Sequence, residues 1–263
     1  MLSLPLFHRY IGINYSGAQT PAASLKGLRI YIADRTSSAV EMPPSPSPRH
    51  YWTRRGIAEW LVARLSDGPP ILVGIDHGFS FPMKYFEKFG VPKDWPMFLD
   101  DFQRHWPTDD DHTYVCFVSE GIRGNGAARW GQRKWLRLIE KRMGSGKSLF
   151  NFEVPGSRAA ATHAGLPWLR YLRQKLAGKI HCWPFDGWEI PAGKSVLVEV
   201  SPALWNRSFP RQGRTANQQD AYAVAERMRR ADGEGRLGEF FKPPLTPDER
   251  RIAQVEGWIL GVI

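Results

Sequence analysis

Three short apolar runs, each ended or interrupted by one polar residue, constrain this chain most. They are Tyr10-Ile11-Gly12-Ile13-Asn14, Ile71-Leu72-Val73-Gly74-Ile75-Asp76 and Val196-Leu197-Val198-Glu199-Val200. Runs this short and this continuously apolar read as strands covered on both faces, which calls for a sheet with helices on each side. A charge at the end of such a run is costly to bury unless it is paired or bound to a metal. Three such strands lying side by side would bring Asn14, Asp76 and Glu199 toward one point. A fourth polar residue, Asp220, lies near the start of an amphipathic helix in Asn217-Gln218-Gln219-Asp220-Ala221-Tyr222-Ala223-Val224, beside the apolar stripe Ala221, Val224, Ala225 and Met228.

The order of elements agrees with a mixed α/β sheet. A hairpin is expected from strand one and Leu28-Arg29-Ile30-Tyr31-Ile32-Ala33, followed by a proline-rich loop, Pro43-Pro44-Ser45-Pro46-Ser47-Pro48, that cannot pair in a sheet. Ile57, Leu61 and Leu65 fall on one face of a helix that Gly68-Pro69-Pro70 stops. Residues from about 84 to 178 read as a mostly helical insertion. Within it we expect a strand around Val115, a basic helix from about Gly131 to Arg142, and a helix with Leu169, Leu172 and Leu176 inward. Strands return at Ile180 and Val196. Two helices close the chain, the second opened by Thr246-Pro247-Asp248-Glu249: an N-cap, a proline at the first helical position and a capping glutamate. Its expected apolar face is Ile252, Val255 and Ile259.

Composition narrows the function classes. Hydrophobic residues at 42% and charged residues at 24% support a globular core rather than disorder. Two cysteines, Cys116 and Cys182, both in apolar strand-like runs, read as buried free thiols and exclude a disulfide scaffold. No stretch approaches a membrane span and the first residues are too short for a signal-peptide core, so the expectation is a cytoplasmic protein without a membrane partner. The formal net charge of +10 favours a polyanionic partner such as nucleic acid.

Hard oxygen ligands on neighbouring strands, plus one from a packed helix, are a rigid way to hold magnesium or manganese for phosphoryl transfer. Asp76, Glu199, Asp220 and Asn14 are therefore the candidate metal ligands and catalytic residues. Each also fits a plainer role. Asp76, before His77-Gly78, suits a turn cap; Glu199 suits a half-buried edge; Asp220 suits the helix dipole, although Thr215 and Gln218 already offer a capping box. Arg133, Lys134, Arg137 and Lys141 are candidate phosphate contacts, with a solvated helix face as the alternative. Gly144-Ser145-Gly146-Lys147-Ser148 imitates the end of a P-loop, but Lys141 stands where its first glycine is required, and Leu149-Phe150-Asn151-Phe152 reads as strand. His163 reads as structural.

Several blocks resemble the family of domain of unknown function 429, described as predicted nucleases of RNase H-like fold. They are Ile11-Gly12-Ile13-Asn14-Tyr15-Ser16-Gly17-Ala18, Gly74-Ile75-Asp76-His77-Gly78-Phe79-Ser80-Phe81-Pro82, Trp183-Pro184-Phe185-Asp186-Gly187-Trp188, Val198-Glu199-Val200-Ser201-Pro202, Asp220-Ala221-Tyr222-Ala223 and Glu256-Gly257-Trp258-Ile259-Leu260-Gly261. They cover both ends of the chain but not its middle. The resemblance implies one RNase H-like domain over 1–263, interrupted by the 84–178 insertion, with the family's acidic positions falling on Asn14, Asp76, Glu199 and Asp220. In that family the first position is usually aspartate; here it is Asn14. The implied activity is a magnesium- or manganese-dependent nuclease. The alternatives are an actin-like ATP-dependent phosphotransferase, with Tyr15-Ser16-Gly17-Ala18 as a phosphate turn, and a non-catalytic module that binds nucleic acid or protein.

Overall fold

Among the described residues, six strands form one mixed sheet in the order β3-β2-β1-β4-β6-β5, flanked by helices. The computed structural model describes residues 6–45, 50–144, 147–154 and 157–263. The prolines of the first loop at 46 and 48, Ser145 and Gly146 of the P-loop-like segment, and the first five residues lie outside the described residues.

In chain order the elements are β1 (Arg9–Asn14), β2 (Arg29–Asp34), β3 (Val40–Glu41), α1 (Arg54–Leu65), β4 (Ile71–Ile75), α2 (Met83–Phe89), α3 (Trp95–His105), α4 (Val115–Ser119), α5 (Leu138–Arg142), α6 (Ala159–Lys175), β5 (Ile180–Cys182), β6 (Ser195–Glu199), α7 (Ala216–Gly233), α8 (Leu237–Phe240) and α9 (Pro247–Glu256). β1, β2 and β3 form an antiparallel meander, whereas β4, β6 and β5 run parallel to β1.

Alternation along the strands divides the core in two. Ile11, Ile13, Val73, Ile75 and Leu197 face a core shared with residues of α1, α3 and α6. Tyr10, Leu72, Val196, Val198 and Val200 face the other core, built on Ala221, Val224 and Met228 of α7. Gly12 pairs in register with Gly74, leaving a patch without side chains under α7. A Cβ at Gly12 would lie 2.2 Å from the Ala221 carbonyl oxygen and 2.8 Å from the Ala225 nitrogen. The helix therefore rests on bare backbone.

Most of the periodic helices fall where the pattern predicts them, and Thr215/Gln218 and Thr246/Glu249 form capping boxes. Four expectations need correction. Val115 opens a short helix rather than a strand, and Cys116 on it is exposed. The basic helix is confined to Leu138–Arg142; residues 131–137 are irregular. α9 buries Ala253 and Glu256 and ends there, so Ile259 lies past the helix, in a bridge to Glu199. Leu149 and Phe150 form a turn, not a strand. No helix among the described residues is long and apolar enough to cross a membrane.

Candidate active site at the ends of the parallel strands

A cleft of about 280 Å³ opens beyond the C-terminal ends of β4 and β6, lined by Asp76, Glu140, Lys147, Arg158, Asn206 and Asp220. This is where ligands characteristically bind in open α/β sheets. Asp76 follows β4 and still donates its backbone N–H to Ile13 O at 3.0 Å. Asp220 projects from the first turns of α7, where Asn206 Nδ2 donates to its Oδ1 at 2.8 Å. The sheet end and α7 thus bring the two carboxylates to one cleft.

The electrostatics bear this out. Burial pushes the Asp76 carboxyl up to about 7; Arg158 opposes the rise, and the charges of Asp220 and Glu199 add to it. Burial also raises Asp220, against the Asn206 bond and the nearby Arg211. Arg158, just before α6, bridges the site: Nη1 stands 3.8 Å from Asp76 Oδ1 and Nη2 3.1 Å from Glu199 Oε1. No run or spacing in the sequence marks Arg158.

Glu199 does not join the two aspartates. Ile75 pairs with Glu199 and Gly74 with Val198, so Glu199 is one residue out of step with Asp76 and points to the opposite face of the sheet. There it is buried, and three donors take its oxygens, Arg137 Nη2 at 2.7 Å and Nη1 at 2.8 Å and the Phe79 N–H at 3.0 Å, while Arg158 Nη2 forms an ion pair with it at 3.1 Å. Each oxygen is thus committed to partners within the protein, Oε1 to Arg137 and Arg158 and Oε2 to Arg137 and the Phe79 N–H, so the protein's own guanidinium groups stand where a metal ion would. Although burial alone would raise it, the Arg137 and Arg158 guanidinium groups and the Phe79 N–H together hold its pKa below the usual range.

Arg137 must therefore be withdrawn from the phosphate contacts. It is buried, and its Nε donates to Glu140 Oε1 at 2.9 Å while the other end of the guanidinium holds Glu199. Arg133, Lys134 and Lys141 are exposed, with Arg133 paired to Glu153. The cations on the cleft itself are Lys147 and Arg158.

Asn14 ends β1 with its amide N–H groups given to Gly27 O at 2.7 Å and Asn217 Oδ1 at 3.3 Å. These bonds orient it toward α7, on the face of Asp76, but it is not among the residues lining the cleft. Among the described residues no group of three or more His, Cys, Asp or Glu side chains is placed to share a metal ion. The carboxylates on the cleft that no Arg137 bond ties down are Asp76 and Asp220, oxygen donors of the type a hard cation takes. His163 is buried among aromatic rings, with Nδ1 on Ala159 O, as a structural residue would be. The Ser16-Gly17-Ala18 turn packs against α6: a Cβ at Gly17 would lie 2.1 Å from Ala160 O. Comparison of the chain with protein-family models, curated proteins and solved structures gave no match.

Proposed function

We propose that the chain is a phosphodiesterase acting on nucleic acid, with an RNase H-like sheet and its reactive centre at Asp76, Asp220 and Arg158. The observation that carries this reading is the convergence of two carboxylates and a guanidinium, from three separate elements, on one cleft at the strand ends. The antiparallel β1-β2-β3 meander, extended by strands parallel to β1, agrees with the fold that the resemblance implies. Asp76 and Asp220 would hold a magnesium or manganese ion, which when bound supplies Lewis-acid stabilisation of charge on the phosphate. Arg158 donates to a non-bridging phosphate oxygen, a charge-assisted contact that strengthens as negative charge builds up there. Lys147 adds positive charge at the rim.

The test is hydrolysis of bis(4-nitrophenyl) phosphate and of labelled oligonucleotides with manganese or magnesium. Turnover is expected to rise as pH passes through about 7, when Asp76 becomes ionised, and to fall at least about 100-fold in Asp76→Asn and Asp220→Asn. Absence of turnover in the wild type with either metal would remove the catalytic reading. A second reading, a binding cleft without chemistry, is favoured by the closed Glu199 and the neutral Asn14. It predicts salt-sensitive oligonucleotide binding with no cleavage.

The raised Asp76 carboxyl also predicts a stability signature. Its folded pKa lies above the ordinary carboxylate value, so its contribution is fully present below about pH 4 and is lost as pH rises through about 7. Asp76→Asn, which resembles the protonated form, should match wild type near pH 4 and exceed it by about 1–2 kcal/mol at pH 8. That range allows for screening, because about a fifth of the Asp76 side chain (19%) is open to the cleft. Manganese at pH 8 should stabilise the wild type but not the variant. Parallel melting curves at all pH values would show that Asp76 titrates normally.

A further inference from the structure

The fully buried Arg54 has no carboxylate partner among the described residues. Its Nη1 donates to Ser16 O at 3.2 Å and Ala18 O at 2.6 Å, and its Nη2 to Gln19 O at 2.9 Å. Three carbonyl dipoles solvate the cation without neutralising it, and a buried net charge is strongly disfavoured in a low-dielectric interior. Its Nε–H finds no acceptor. Two more buried polar atoms are in the same position, the Tyr15 hydroxyl and the Trp168 indole Nε1.

All three side chains line one small cavity of about 10 Å³, between the exit of β1, the start of α1 and the middle of α6. Most of the remaining wall is apolar: Ile57, Leu61, Ile75 and Leu169, with His77 alongside. His77 is kept neutral by its burial, its pKa lowered to about 4, and its Nδ1 is committed to Gly78 O. Among the described residues, Asp109 is the one carboxylate that acts on Tyr15, and none acts on Arg54.

We propose that this cavity binds one monatomic anion of the halide class, with chloride the natural occupant. The space admits a single water-sized sphere, so a halide, somewhat larger than water, needs the side-chain walls to give by a few tenths of an ångström. A phosphate or carboxylate is too large. Arg54 Nε and Trp168 Nε1 can only donate, and the tyrosine hydroxyl can turn to donate as well. A water molecule would accept from this set and could return one hydrogen bond, to His77 Nε2, but it would leave its other hydrogen against aliphatic wall and the guanidinium charge uncompensated. A halide accepts from all three donors, needs no acceptor, and neutralises the guanidinium. The bound ion would tie the loop after β1 to α1 and α6. The inference does not depend on the proposed phosphodiesterase activity.

The probe is bromide. Melting of the whole protein is followed from 1 to 100 mM sodium bromide against sodium gluconate at matched ionic strength, and crystals grown in bromide are measured at the bromine absorption edge. The expected result is one anomalous peak among Tyr15, Arg54 and Trp168, together with a melting temperature about 2–4 °C higher in bromide. Arg54→Met should abolish the bromide response. If that variant does not fold, Trp168→Phe, which keeps the cation and removes one donor, should reduce the response. A refined water with no anomalous peak, equal melting in the two salts, or a peak with no thermal response (binding at crystal concentration only) would each overturn the proposal.

Discussion

Arg137→Ala is expected to destabilise the fold by about 3–5 kcal/mol, because it leaves the Glu199 carboxylate buried without its bidentate partner. The substitution removes two of the three hydrogen bonds on Glu199 and the Nε bond to Glu140, while the Phe79 N–H bond and the ion pair with the partly exposed Arg158 remain. The melting temperature should fall by roughly 10 °C. The acid side supplies an internal check. Glu199 is held below the ordinary glutamate range in the fold, so its stabilisation is present above that range and is lost as pH falls through the folded pKa. The gap between wild type and Arg137→Ala should therefore narrow in acid. The double variant Arg137→Met, Glu199→Leu should cost less than Arg137→Ala alone, since it leaves no uncompensated charge. Urea denaturation at pH 7.5 and pH 4 measures all of these. A loss under about 1 kcal/mol for Arg137→Ala at pH 7.5 would mean that water reaches Glu199.

The second large effect is expected at Gly12. Gly12→Ala places a methyl 2.2 Å from the Ala221 carbonyl oxygen, and backbone cannot move aside as a flexible side chain can. A cost of about 3 kcal/mol, at the upper end of overpacking penalties, is expected from denaturant titration. Gly74→Ala should cost less, because its nearest atoms are Val200 Cγ1 and Val224 Cγ1, both 2.8 Å away, which can rotate. Gly12→Ala also lifts the first turns of α7, so it should weaken manganese binding by displacing Asp220 from Asp76. An unchanged stability would show that α7 settles elsewhere at little cost.

What the chain discloses without coordinates is its periodic part. The runs at Tyr10, Ile71 and Val196, the α1 stripe and the capping boxes carry their own signals, because strand burial and helix ends depend on nearby residues. The meeting of Asp76 and Asp220 also follows from that pattern. The fate of Glu199 does not. Whether it shares a face with Asp76 depends on the register of β6 against β4, and a shift of one residue reverses it. Arg137 looks like its basic neighbours; only its place three residues before Glu140 hints at a pairing. Val115-Cys116-Phe117-Val118 has strand-like composition but forms one helical turn, a case of tertiary context overriding a weak local preference. Arg54 sits at the start of α1 with no sequence mark of its burial.

Arg158 has a consequence of another kind. One guanidinium serves two clients on opposite faces of the sheet, Glu199 beneath and the Asp76 cleft above. An anion that recruits it into the cleft draws on a contact that Glu199 already uses, so occupancy above and ion pairing below are thermodynamically linked. Such linkage is reciprocal: whatever factor by which losing the Glu199 contact tightens an anion in the cleft, the bound anion loosens that contact by the same factor. The rigid core beneath the cleft is thereby a participant in its affinity.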